Sequence, residues 1–191
     1  MANPIPTTGT AAIIGGGIAG LSASIALRRA GWSVSVYERS QFKNEIGAGI
    51  TVPPNAALVL KHIGFDFERA QPVANQTMRT AKADTLEYIL VEEYPGLSDE
   101  VSFGQGSWSF HRVDLHRGLR EVAVSTDGVG RPVEMNLGCE VVGLDCEKGV
   151  LTLADGRTAK NDLVVLADGA HVSYFLSSDS SHLIASLNHQ R

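Results

Sequence analysis

Three glycines and one glutamate carry the clearest chemistry in this sequence. Gly15, Gly17 and Gly20 make the pattern G-x-G-x-x-G within GGGIAG, and Glu38 closes the apolar run SVSVYE. In such a turn the first glycine permits a tight reversal, the second lets a pyrophosphate approach the backbone, and the third lets a helix pack closely on a strand. Ile18 and Ala19 complete the turn and belong to the same expected binding surface. The amino terminus of the helix offers unpaired N–H groups and a positive dipole end, so the anion needs no basic side chain. None lies between Gly15 and Leu27. A carboxylate about 20 residues further on accepts the hydroxyl protons of an adenosine ribose and repels a 2′-phosphate. The spacing therefore predicts a site for FAD or NAD rather than NADP.

That chemistry requires a strand, a turn, a helix and a second strand in register. Ala11 to Ile14 reads as a short apolar strand, Leu21, Ile25 and Leu27 have helical spacing, and Val34 to Tyr37 reads as the next strand after Gly31. A glycine turn that packs a helix and binds nothing is the simpler alternative, but it gives no reason for an acid at the tip of the second strand. A membrane span over Ala11 to Leu27 fails, because a span needs about 20 strongly apolar residues and this run is shorter, rich in glycine and followed by Arg28 and Arg29.

The chain has 191 residues, 43% apolar and 19% charged, with a net charge of −5, which suits a globular protein of one domain or slightly more. An acidic balance gives no reason to expect a nucleic acid or an anionic membrane as partner. MANPIPTTGT lacks the basic start of a signal peptide, so a cytoplasmic location is expected. Cys139 and Cys146 are read onto one strand, seven positions apart, roughly 23 Å apart and on opposite faces, too far for a disulfide and suited to packing in a reducing compartment. His111 and His116 lack the spacing and third ligand of a zinc site, and no metal is expected.

Further along, Gly47 and Gly49 allow the backbone to lie flat against a bulky group; Pro53 and Pro54 end an extended piece, Asn55 is expected to cap, and Ala56 to Ile63 is expected to be helical. Thr77 to Thr80 and Leu86 to Val91 read as strands of a separate sheet, Tyr94 to Gly106 as a loop, and Ser107 to Phe110 as an edge-like strand. HRVDLHRGLREVAV, from His111 to Val124, predicts an amphipathic helix with Asp114 in its first turn, and Arg112 standing just before it gives a small reason to look for an anionic partner. From Pro132 the pattern is β: Val133 to Asn136, Glu140 to Cys146, Val150 to Leu153, an Asp155-Gly156 turn and Thr158 to Lys160 form a predicted antiparallel meander. Leu163 to Ala167 then reads as a buried parallel strand ended by Asp168 and Gly169, and His171 to Arg191 as a poorly ordered or weakly helical tail.

Taken together, GGGIAGLSASIAL with Glu38-Arg39, EIGAGITVPPNA, HRVDLHRGL and LADGAH resemble the FAD-dependent aromatic hydroxylases, the group A flavoprotein monooxygenases of salicylate-hydroxylase type. The resemblance runs from Ala11 to about His171. It implies an α/β fold: a Rossmann-like FAD-binding domain of glutathione-reductase type with a β-meander, plus part of a substrate-domain sheet. It implies that Gly15, Gly17, Ile18, Ala19 and Gly20 hold the FAD pyrophosphate, that Glu38 with Arg39 serves the adenosine end, and that Gly47, Ala48 and Gly49 lie beside the flavin. Arg112 matches the arginine of the R-x-D-L motif that contacts FAD, and Asp168 and Gly169 match a second fingerprint, A-D-G. The implied reaction uses NAD(P)H as co-substrate, with O₂ supplying one oxygen atom to a small aromatic molecule. No catalytic side chain is assigned by it.

The implied segments are residues 1–75 and 111–170 for the FAD-binding domain, 76–110 for partial substrate-domain strands and 171–191 for a divergent tail. Val172 and Phe175 stand where the pattern has serine and arginine, and Val172-Ser173 is a pair that an intron boundary encodes, so a truncated gene model or splice form is expected. Two other readings stay open: a non-catalytic remnant or interaction module with weak nucleotide binding, and an NAD-dependent dehydrogenase.

Overall fold

A computed structural model describes residues 8–42, 47–93 and 104–169. The expected tail from His171, with Val172 and Phe175, and most of the loop from Tyr94 lie outside the described residues. The chain divides into two compact units, Met1–Asn44 with Arg120–Arg191, and Glu45–Leu119.

The first unit is built on a parallel sheet. Strand β1 (Thr10–Ile14), helix α1 (Ile18–Arg29) and β2 (Ser33–Glu38) follow the sequence expectation closely. The sheet has the order β12-β1-β2-β8, with β8 at Glu134–Leu137 and β12 at Leu163–Leu166. Both neighbours of β1 run parallel to it, Ile14 opposite Tyr37 on one side and Leu166 on the other. The chain leaves β1 toward β2 and later returns to its opposite flank, so the end of β1 is a topological switch point, where open α/β sheets bind ligands.

Alternation along β1 assigns its two faces. Ala12 and Ile14 pack with Val141, Leu151 and Leu153, while Ile13 meets α1 at Gly20. Val141, Leu151 and Leu153 belong to an antiparallel meander of β9 (Val141–Asp145), β10 (Val150–Leu153) and β11 (Thr158–Lys160), turned at Gly156 with φ +85°. The result is a meander, a sheet and a helix in three layers.

Three expectations in this unit need correction. Val133 to Asn136 does not start the meander; β8 pairs in parallel with β2, Ser35 opposite Glu134 and Glu38 opposite Leu137. An isolated four-residue strand carries no sign of its partner's direction, and only the crossover that precedes it decides the pairing. The cysteines do not share a strand, since β9 covers only Val141–Asp145, and Cys146 is exposed rather than packed. On α1 the buried stripe runs Gly20, Leu21, Ser24, Ile25 and Arg28, so an arginine takes the place the apolar spacing gave to Leu27.

Arg28 is only 2% exposed. Its Nη1 donates to the carbonyls of Val122 and Ala123 at 3.0 and 2.9 Å, and its Nη2 to Ser125 at 2.7 Å and Gly130 at 3.3 Å. Burial holds the guanidinium below its ordinary pKa. The carbonyls near the end of helix α4 (Arg112–Val124) supply the negative partial charge that solvates it.

A carboxylate fastens the entry of the sheet. Thr10 donates to Asp162 Oδ2 through both its backbone N–H and its hydroxyl, each at 2.8 Å, which holds the Asp162 carboxyl below the usual carboxylate range. A folded-state pKa lowered in this way stabilises the fold above the unfolded value of about 3.9 and ceases to do so as pH falls through the folded value. Asp162→Asn is therefore expected to lower the urea midpoint at pH 7, by an amount that fades as pH falls through the folded-state value and the wild-type carboxyl is protonated too. A loss of the same size at every pH would contradict this role.

In the second unit β3 (Gly49–Val52), β4 (Val73–Ala74) and β7 (Trp108–His111) form a sheet in the order β3-β7-β4. β7 is thus central, not an edge: its short WSFH run has antiparallel partners on both sides. Helix α2 is Pro54–His62 with Pro53 at its cap, so Asn55 lies in the first turn instead of capping; a proline at the first helical position already has the required φ. Helix α3 (Phe67–Ala70) is capped by Asp66, which accepts from the Arg69 N–H at 2.9 Å. Phe65, Phe67, Trp108 and Phe110 stack edge-on or tilted at 5.4 to 5.9 Å. Strands β5 (Thr77–Ala81) and β6 (Tyr88–Glu93) form a separate two-stranded ribbon, as the pattern predicts. Among the described residues no helix is long and apolar enough to cross a membrane.

Candidate functional site

The glycine turn sits where β1 ends, and each of its glycines answers to a different neighbour. Gly15 has φ +103°, its N–H donates to the Tyr37 carbonyl at 2.9 Å, and a Cβ there would strike the Ala167 carbonyl. A Cβ on Gly20 would strike the Gly15 carbonyl and come within 3.3 Å of Ile13. A Cβ on Gly17 would meet nothing within 4 Å. Two glycines are thus required by close packing, and the middle one borders open space, the arrangement a pyrophosphate needs. Gly17 caps α1 with extended backbone and no side-chain partner at the cap, and Ile18 and Ala19 open the helix behind it.

Glu38 turns toward this bend. Its Oε2 accepts the Gly16 N–H at 2.7 Å and its Oε1 the Ser40 N–H at 2.7 Å. Each carboxylate oxygen has a second lone pair, so these bonds orient the group without exhausting it. The strand tip is itself held, because the Cys139 N–H donates to the Glu38 carbonyl at 2.9 Å and the Gly138 N–H to that of Ser40 at 3.3 Å. Arg39, next in sequence, is exposed.

The A-D-G segment abuts the same end of the sheet. The Ala167 N–H donates to the Ile14 carbonyl at 2.8 Å, and the Gly15 Cβ position lies 2.9 Å from the Asp168 backbone nitrogen. Asp168 is half-buried, and Gly169, at φ +74°, is exposed with nothing within 4 Å of its Cβ position. Gly15, Gly17, Ile18, Ala19, Gly20, Glu38, Asp168 and Gly169 therefore gather at the carboxyl ends of β1, β2 and β12.

The remaining predicted residues form a second group, inside the second unit. Gly49 pairs with His111 across β3 and β7, and the Arg112 N–H donates to the Ala48 carbonyl at 3.0 Å. Gly47 and Gly49 are exposed, and the His111 ring lies against the Gly47 backbone. Arg112 is the first residue of α4 rather than its predecessor.

Sequence reasoning passed over Ser40, Phe42 and Arg120. Only the folded chain brings Ser40 to Glu38, Phe42 to Gly16 and Arg120 to the Phe42 ring, and the one hint in the sequence is an aromatic residue four positions after the acid. Among the described residues no cluster of three or more potential metal ligands occurs.

This arrangement is matched over nearly the whole chain. Residues 9–188 match the pyridine nucleotide-disulphide oxidoreductase family. The chain belongs to that family. Proteins similar to it include hispidin-3-hydroxylase of Neonothopanus nambi, 37% identical over 82% of this chain, and the FAD-dependent monooxygenase cfoG of Aspergillus candidus, 39% identical over 82%. Among solved structures, 2-methyl-3-hydroxypyridine-5-carboxylic acid oxygenase aligns over 86% of the chain at 30% identity with a TM-score of 0.68. The chain spans 36% of the length of each of those two curated relatives and 40% of that structure. The resemblance to flavin-dependent hydroxylases and the Rossmann-type α/β fold it implied are both borne out.

Proposed function

We propose that this sequence carries the FAD site of an NAD(P)H-driven monooxygenase that hydroxylates an aromatic or related small molecule. The observation that carries the reading is the Glu38 carboxylate, turned onto the Gly16 amide beside the open face of Gly17. That geometry leaves room for a pyrophosphate and sets a ribose acceptor next to it. In this reading the amides of the turn from Gly15 to Gly20 hold the pyrophosphate, Glu38 fixes the adenosine ribose, and Arg39 extends the adenosine end. Gly47, Ala48, Gly49 and Arg112 serve the flavin end, Asp168 and Gly169 the second fingerprint. Bound FAD would supply hydride acceptance from NAD(P)H and the activation of O₂. The protein's own contribution is to bind and orient that group and to keep water from it.

Support for the substrate class comes from relatives, which include a 3-hydroxybenzoate 6-hydroxylase of Polaromonas naphthalenivorans, 34% identical over 82% of this chain. Two free cysteines suit a cytoplasmic setting. A second reading is a nucleotide-binding module without turnover.

The purified protein is expected to be yellow, or to become so with FAD, and FAD is expected to raise its melting temperature. NAD(P)H oxidation stimulated by a hydroxybenzoate would support the monooxygenase. Yellow protein without that stimulation leaves the module reading. Colourless protein whose melting temperature FAD does not shift would sink the FAD assignment.

A further inference from the structure

Segment 38–42 curls back on the glycine turn. Ser40 donates its N–H to Glu38 Oε1 at 2.7 Å, and its hydroxyl accepts the Phe42 N–H at 3.0 Å. Phe42 itself has φ +54°, a left-handed conformation that is unfavourable for a bulky side chain. The loop thereby brings the tip of the Phe42 ring to 3.1 Å from the Gly16 Cβ position, which is also 3.2 Å from the Glu38 Cβ. The Arg120 guanidinium carbon stands 5.7 Å from the centre of the ring, within reach of a cation–π attraction. Phe42 remains only half-buried. A strained aromatic, fastened through two hydrogen bonds to the acid of the site and backed by a cation, marks a position shaped for something other than core packing.

We propose that Phe42, held by Arg120, is an aromatic wall of the nucleotide site against which the adenosine half of the dinucleotide stacks. The inference rests on the reading of Glu38 and the glycine turn as the cradle of that half. The ring brings neither charge nor a hydrogen-bonding group, so it matches a flat purine and not the pyrophosphate. Arg120 fixes the ring's tilt through its π face and adds positive potential beside a dianionic ligand.

The test titrates the full chain with FAD, with ADP as the adenine-containing half and with FMN as the half that lacks adenine. Phe42→Ala is expected to weaken FAD and ADP by about tenfold each, the lower end of what removing a base-stacking aromatic costs, and to leave FMN unchanged. Phe42→Trp and Phe42→Tyr should restore both, which a merely structural role for the loop would not require of a larger ring. Arg120→Leu should weaken ADP by a smaller factor in the same direction. Unchanged or tighter ADP binding by Phe42→Ala would overturn the wall, and tighter binding would mean that the ring blocks the site instead. If Glu38→Ala abolishes ADP binding while Phe42→Ala does not touch it, the cradle stands and the wall falls. If the wild-type chain binds neither FAD nor ADP, both fall together.

Discussion

Glu38→Ala is expected to weaken FAD binding by about 100-fold or more. A carboxylate that accepts two ribose hydroxyls makes two charge-assisted hydrogen bonds of about 1.5–3 kcal/mol each, and 1.4 kcal/mol is a factor of ten in affinity. The alanine also releases the Gly16 and Ser40 N–H groups, which Glu38 now holds at 2.7 Å. Glu38→Gln tests the charge: its amide oxygen can keep one backbone N–H and accept one ribose hydroxyl, while its NH₂ group faces the other backbone N–H donor to donor, so it should lose both stability and affinity, each by less than Glu38→Ala. Flavin fluorescence titration gives the affinity, and thermal melting without FAD gives the stability. A Glu38→Ala protein that binds FAD within a factor of three of wild type would refute the role.

Arg28→Met is expected to destabilise the first unit by about 3–5 kcal/mol, a large share of the 5–15 kcal/mol that usually holds a domain together. Methionine replaces the apolar stem but withdraws the guanidinium donors from the carbonyls of Val122, Ser125 and Gly130, while that of Ala123 keeps the Val133 N–H at 2.9 Å. A buried acceptor left unsatisfied costs about 1–3 kcal/mol. The loop lies directly on the guanidinium, since a Cβ on Gly128 would lie 2.9 Å from Nη2 of Arg28. Arg28→Lys should rescue little, because a single ammonium cannot span four carbonyls as the planar fork does. The unit has its own reporter: Trp32 belongs to it and Trp108 to the other. Urea unfolding followed in a Trp108→Phe background therefore reads this unit alone. A loss below about 1 kcal/mol would show that water replaces the guanidinium at little cost.

The elements that sequence made legible are those whose signal is local. The turn from Gly15 to Gly20 needs glycine because a Cβ would collide with backbone at Gly15 and Gly20, and such a need leaves a readable spacing. The Asp155-Gly156 hairpin and the helix from HRVDL are legible for the same reason: turn chemistry and helical period both lie within a few neighbouring residues. The end of β2 at Glu38 was legible because the apolar alternation stops at a charge.

What stayed hidden depends on partners distant in sequence. Nothing within EMNL tells a strand that it pairs with Ser33–Glu38 rather than with the meander beside it in sequence. Nothing local marks Arg28, one of two basic residues in the last turn of α1; its burial follows from carbonyls 94 to 102 residues away. Ser107 to Phe110 reads as an edge because four residues cannot show that Gly49–Val52 and Val73–Ala74 flank the strand they form. Phe42 was missed because its place is set by a left-handed backbone and a serine hydroxyl, and neither leaves a periodic trace.

In the function proposed, the bend after β1 and the acid at the tip of β2 together hold the AMP half of FAD. The most direct measurement is an amide ¹H–¹⁵N spectrum of the labelled chain titrated with FAD and, separately, with ADP. The Gly16, Gly17, Ile18, Ala19 and Ser40 amides are expected to shift with both ligands, and those of the meander from Val141 to Lys160 are not. Binding of FAD that leaves the Gly16 to Ala19 amides in place, with the shifts elsewhere, would contradict that placement.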